Sequence, residues 1–201
     1  MWESLGFAVA GSRTSVSGVE HNLVGASGEG HGILGWTLAG LVTPPPQGRI
    51  DGLVTSVAER PGSPAPAKHP NGVVSIDHVV VATADLGRTV GCFEQLGLSV
   101  RRTRDSGTYG TPMRQAFFKL GTIVLEVIGA AEPMPEYADR PAGFFGVAFT
   151  VADLDATAAY LGERLHPAKD AVQPGRRIAT LDRGAGSTVA IAFMSAGPVD
   201  Y

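Results

Sequence analysis

The sequence predicts an α+β fold made of two β-α-β-β-β modules in one chain, preceded by a mostly β N-terminal segment. Three observations carry this. Ile76-Asp77-His78-Val79-Val80-Val81-Ala82-Thr83-Ala84-Asp85-Leu86 is echoed 68 residues later by the stretch from Phe144 to Leu154. A second pair, 123–128 and 189–194, follows each copy at a similar distance. Glycine (27 residues) and proline (14) are frequent enough to punctuate many short strands. A repeat at this period is one supersecondary unit used twice.

In order along the chain, residues 1–58 form a β-rich N-terminal segment. Trp2–Phe7 echoes Phe93–Leu98, and Gly35–Leu41 echoes Ala148–Leu154, so this segment is either a shortened third module or a set of strands covering a sheet edge. Ile50–Val57 reads as one strand. Residues 59–70 hold four prolines and form a semi-extended linker, because proline sustains neither a ladder nor a helix. The duplicated region fills 71–196, with modules at 71–130 and 143–196.

Each module opens with a strand that runs into a helix. After Asp85 the apolar residues Leu86, Val90, Phe93 and Leu96 keep helical spacing, as do Leu154, Ala158, Leu161 and Leu165 after Asp153. An aspartate at each start favours the positive helix end. Strands follow at 98–102, 114–120 and 122–128 in the first module. The second has 177–181 and 188–194, with a weak strand near 167–171. Thr103–Pro112 is polar and reads as a loop able to act as a lid.

Composition excludes several function classes. The net charge is −3 and no cationic stripe is present, so nucleic acid is not an expected partner. No apolar run reaches the ~20 residues of a spanning helix, and a membrane is not expected either. Cys92 is the single cysteine, so no internal disulfide or cysteine metal cluster forms; a cytoplasmic setting fits. Cys92 itself, with Trp36 and Phe149, reads as core.

The polar residues do not repeat. His78 and Glu126 in the first module stand opposite Gly146 and Ala192 in the second. Strand alternation puts His78 with Val80 and Ala82, and Glu126 with Val124 and Ile128. If the helices cover one sheet face, both side chains point to the other. A carboxylate within Ile123–Ile128 is costly to bury without a partner or ligand. Arg114, Gln115 and Tyr109 lie near a strand entering this face and are candidates to meet an anionic or carbonyl substrate. Arg176 and Arg177 hold the like place in the second module. For all of these the plain alternative is a solvated strand end.

The Asp-His-Val strand, the following Asp-Leu helix and the closing Leu-Glu-Val strand resemble the vicinal oxygen chelate superfamily, over residues 75–196. That family includes glyoxalase I, extradiol dioxygenases, epimerases and bleomycin resistance proteins. The resemblance implies a cup-shaped mixed sheet with helices outside, and in many members a divalent metal at its centre. Its metal positions fall on His78 and Glu126, and in the second module on Gly146 and Ala192, which bind no metal. A third ligand has to come from His21, His31, Asp182 or a second chain. The expectation is therefore no cofactor, or a weakly bound divalent metal.

Two functions follow. One is an enzyme performing lyase- or isomerase-type proton transfer on a small organic molecule, with His78 and Glu126 as its catalytic pair and Arg114, Gln115, Tyr109, Gly146 and Ala192 lining the substrate. The other is a small-molecule sequestering protein of the bleomycin-resistance kind, its roomy half left by Gly146, Ala148, Ala190 and Ala192. A self-satisfied His–Glu contact without function, and a homodimer, stay open.

Overall fold

A computed structural model describes residues 1–25, 31–65, 67–107, 112–132, 135–137 and 139–197. The strands are β1 (Arg13–Val16), β2 (Val19–Asn22), β3 (Trp36–Ala39), β4 (Arg49–Ile50), β5 (Leu53–Ala58) and β6 (Val73–Thr83). Helix α1 (Leu86–Gln95) precedes β7 (Arg102–Ser106), β8 (Met113–Leu120) and β9 (Ile123–Ala130). Then come β10 (Gly143–Val151), helix α2 (Leu154–Leu161), β11 (Lys169–Asp170), β12 (Arg177–Thr180) and β13 (Ala190–Ser195). The order β-α-β-β-β thus occurs twice, and the chain is α+β with strands predominating. Among the described residues no helix is long and apolar enough to cross a membrane.

The chain divides into two compact units. Unit 1 holds 1–32, 62–77 and 146–200; unit 2 holds 33–61 and 78–145.

In unit 2, β6 from His78 onward runs parallel to β9, and β9, β8 and β7 follow as antiparallel neighbours. The Asp85 carboxylate caps α1 by accepting from the Arg88 amide at 2.9 Å. Phe93 of α1 is fully buried against Val81, Phe118, Leu125 and Val127, which are the alternate residues of their strands. Ile50, Leu53 and Trp36 close the same core. The stretch expected as one strand over Ile50–Val57 is instead a hairpin, β4 to β5, turned at Asp51 (φ 46°) and Gly52 (φ 95°). Asp-Gly is the residue pair that such a positive-φ turn demands.

In unit 1, β10 runs parallel to β13, which pairs with β12 and then β11. The Asp153 carboxylate caps α2. Phe149, fully buried, meets Phe7 (5.1 Å between ring centres), Trp2 and Phe193. Asn71 donates to the Leu5 carbonyl and Thr157 donates to the Asn71 carbonyl, fastening the first residues of the chain to α2. The β1–β2 hairpin is held by His69, whose Nδ1 accepts from the Ala8 amide while Nε2 donates to the Ser15 carbonyl. Both bonds together require the neutral Nε2–H tautomer.

The strand expected at 98–102 begins four residues later, and its 102–106 span takes the first part of the stretch read as a lid. Residues 108–111 of that stretch, Tyr109 among them, lie outside the described residues.

Candidate functional site

Alternation along four strands of unit 2 builds one polar face. Val81, Leu125, Val127, Ala116 and Phe118 turn toward α1. Their neighbours His78, Glu126, Gln115 and Phe117 therefore turn away from it, and Arg104, paired with Gln115, joins them. Three contacts run across this face. The Arg104 Nε donates to Gln115 Oε1 at 2.7 Å. The Gln115 Nε2 donates to Glu126 Oε1 at 2.6 Å. The other carboxylate oxygen, Oε2, lies 3.8 Å from His78 Nε2.

The chemistry of each link follows from donor and acceptor inventory. Arginine only donates, so it fixes the Gln115 amide with its oxygen toward Arg104 and its NH2 toward Glu126. That NH2 gives the carboxylate a partner in a setting where Glu126 is 15% exposed and His78 13%, meeting the desolvation cost of burying it. The 3.8 Å separation is an ion-pair distance when His78 is protonated and longer than a hydrogen bond otherwise. Catalytic contacts in ligand-free enzymes are often this long and tighten with substrate. The Arg104 guanidinium also lies over the Phe117 ring, 5.7 Å from its centre.

Of the residues expected at the site, the structure brings together His78, Glu126 and Gln115. Arg114 is not among them: one position along β8 from Gln115, it points to the opposite face and chelates Asp105 at 2.7 and 3.3 Å. Arg114 holds the Asp105 carboxyl below its ordinary range. A cleft of about 460 Å³ lies on that α1 side, between Leu86, Val90, Val100 and Arg114; it is separate from the His78 face. Gly146 and Ala192 belong to unit 1, Gly146 beside Ala190 and Ala192 beside Ala148. A Cβ on Gly146 would sit 2.3 Å from the Ala190 carbonyl oxygen, so β10 approaches β13 too closely for any side chain there.

Arg176 departs from the expectation of a solvated strand end. It is 1% exposed and ion-paired with the buried Asp77, its Nε donating to the Ser195 carbonyl. The Thr150 hydroxyl donates to the same Asp77 oxygen. Arg177 does stay exposed and chelates Asp155.

Arg104 was hidden in the sequence because its strand is polar on both sides. The one available signal was Arg102, Arg104 and Ser106 at alternate positions beside the alternation of β8.

The donor set does not fit the family's metal. His78 and Glu126 are two ligands where a catalytic zinc takes three from the protein, and one Glu126 oxygen is engaged by Gln115. Of the expected third ligands, His21 is wedged beside Trp2 and Phe149, and Asp182 pairs with His166 at 3.3 Å. No group of three His, Cys, Asp or Glu side chains among the described residues is placed to hold an ion.

No curated protein matches the chain. Among solved structures it is similar to methylmalonyl-CoA epimerase from Mycobacterium tuberculosis, at 23% identity and TM-score 0.51, over 63% of this chain and 91% of that one. A Streptomyces coelicolor methylmalonyl-CoA epimerase variant in complex with 2-nitronate-propionyl-CoA matches at 24% identity and TM-score 0.50, over 63% and 99%. A hypothetical protein from Bacillus halodurans matches at 16% and TM-score 0.50, over 63% and 97%. These likenesses show the fold. Residues 77–180, more than half of the chain, match the model of the Glyoxalase/Bleomycin resistance protein/Dioxygenase superfamily, and to that superfamily the chain belongs.

Proposed function

We propose that this protein catalyses proton transfer at a carbon acid of a small organic molecule, in the manner of a lyase or isomerase, with His78 and Glu126 as the acid–base pair. The observation that supports this best is the Glu126 carboxylate, fixed through one oxygen by Gln115 and presenting the other to His78. A base of this kind needs a set direction and a neighbour to take or return the proton, and the two side chains supply both. Gln115 is a positioning residue: it orients Glu126. The reaction fits an incomplete metal set, because proton transfer beside a carbonyl asks only for a base and an oxygen stabiliser. The epimerases of similar fold carry a name that describes a reaction of this type, which makes acyl thioesters and 2-substituted carbonyl acids the first panel to try.

The test incubates the full chain with that panel in D2O and follows loss of the C–H signal by proton NMR. Exchange on at least one compound is expected, falling about 10²–10⁴-fold in His78→Ala and in Glu126→Gln. Saturable binding with no exchange, undisturbed by His78→Ala, would overturn catalysis in favour of sequestration.

A further inference from the structure

The His78 face carries basic side chains on two of its strands. By strand register its charged residues are Arg102 and Arg104 of β7, Lys119 of β8 and Glu126 of β9. Among the described residues of β6 to β9, three cations thus share a face with one carboxylate, in a protein whose net charge is −3. On the other face of β7 and β8, Asp105 and Arg114 neutralise each other. On β7 and β8 the basic surplus therefore falls on the side where the His78–Glu126 pair lies.

Arg104 is placed to use that excess. Its Nε is engaged by Gln115, which orients the planar guanidinium, and the side chain is only half-buried. The two NH2 groups are the donors left for a ligand. A guanidinium held in this way presents a fork that matches the two oxygens of a carboxylate. Gln115 separates the fork from Glu126 by one amide group. An anion gripped by Arg104 would thereby be kept one amide away from the Glu126 charge, on the face that also carries the acid–base pair. Phe117, beneath the guanidinium, supplies an apolar floor.

We infer that the ligand of this face is a small organic anion bearing a carboxylate, anchored by Arg104, with Arg102 drawing it in through its charge. This rests on the proton-transfer reading for the purpose of the binding, and not for the binding itself. Arg104 is then the residue that selects the substrate class.

The test titrates the full chain with malonate, inorganic phosphate and uncharged malonamide, reading the Arg104 Nε–H and Gln115 side-chain amide resonances. Malonate is expected to shift both saturably, and about tenfold or more tightly than malonamide. Arg104→Met should weaken malonate by about tenfold or more, with Arg104→Lys recovering part of the loss; Arg104→Gln replaces the methionine variant if that one does not fold. Malonate binding is read without turnover, so a parent chain that binds malonate but exchanges no C–H in D2O marks a failure of the chemistry that leaves the anchor standing. Absence of malonate binding, equal affinity for malonamide, preference for phosphate over malonate, or unchanged affinity in the Arg104 variants would each overturn the inference.

Discussion

The guanidinium of Arg176 and the carboxylate of Asp77 are buried together, with side chains 0% and 1% exposed, although they stand 99 positions apart in the sequence. Removing one partner leaves the other charged and dry, which is far costlier than losing both. Arg176→Met is expected to destabilise the protein by about 3–5 kcal/mol. The double variant Asp77→Leu with Arg176→Met should cost less than the two single changes added. Urea unfolding of the four proteins measures the coupling, and simple additivity would refute it.

A second expectation concerns acid. His21 lies beside Trp2 and Phe149 with its Nε2 buried and without a partner among the described residues. Burial first, and the nearby His69 second, push its pKa down to about 4 from an ordinary 6.5. Between those values the unfolded chain takes up a proton that the folded chain refuses, so stability is full above about pH 6.5 and falls as pH drops toward 4. The loss through this residue amounts to about 3 kcal/mol. His21→Phe should flatten the pH dependence of denaturant midpoints across that window; a slope equal to the parent's would remove His21 as its source.

Gly146 tests why the second module lacks a ligand position. With the Ala190 carbonyl oxygen 2.3 Å from where a Cβ would stand, Gly146→Ala is expected to cost about 1–3 kcal/mol through overpacking. Gly146→His should cost more and gain no metal, as read by thermal unfolding and by metal content after dialysis against zinc. A stable, zinc-loaded histidine variant would contradict the strand spacing.

The turn at Asp51-Gly52 offers an internal comparison. Gly52 combines φ +95° with a Cβ position 2.4 Å from Pro141 Cβ, whereas Gly121 has φ +63° and open space. Alanine at Gly121 should cost about 1–2 kcal/mol for backbone conformation alone. Alanine at Gly52 should cost distinctly more, and equal melting temperatures for the two variants would show that the close approach is relieved without penalty.

How much of this was legible depended on whether an apolar marker accompanied each element. Both helices were readable because Asp85 and Asp153 stand directly before apolar residues at helical spacing. The shared face of His78 and Glu126 was readable because valines and leucines flank them in strict alternation. Strand β7 has no such marker: Thr103, Arg104, Asp105 and Ser106 are polar on both faces, and its pairing with β8 is decided by backbone bonds the sequence does not display. Arg176 was misread for a related reason. A charged doublet signals surface unless its counter-charge is known, and Asp77 is far away in sequence. The Asp51-Gly52 signal was present but lay inside a run of strand-forming residues.

Unit 1 joins segments that lie far apart in the sequence. Arg164 donates to the Ser4 carbonyl across 160 residues, and Phe7 rests on Phe149. During synthesis Trp2 and Phe7 are made well before Phe149, the ring that receives them. Until Phe149 follows, Trp2 and Phe7 lack that seat. Such long-range closure slows folding and lengthens the interval in which chains can associate wrongly.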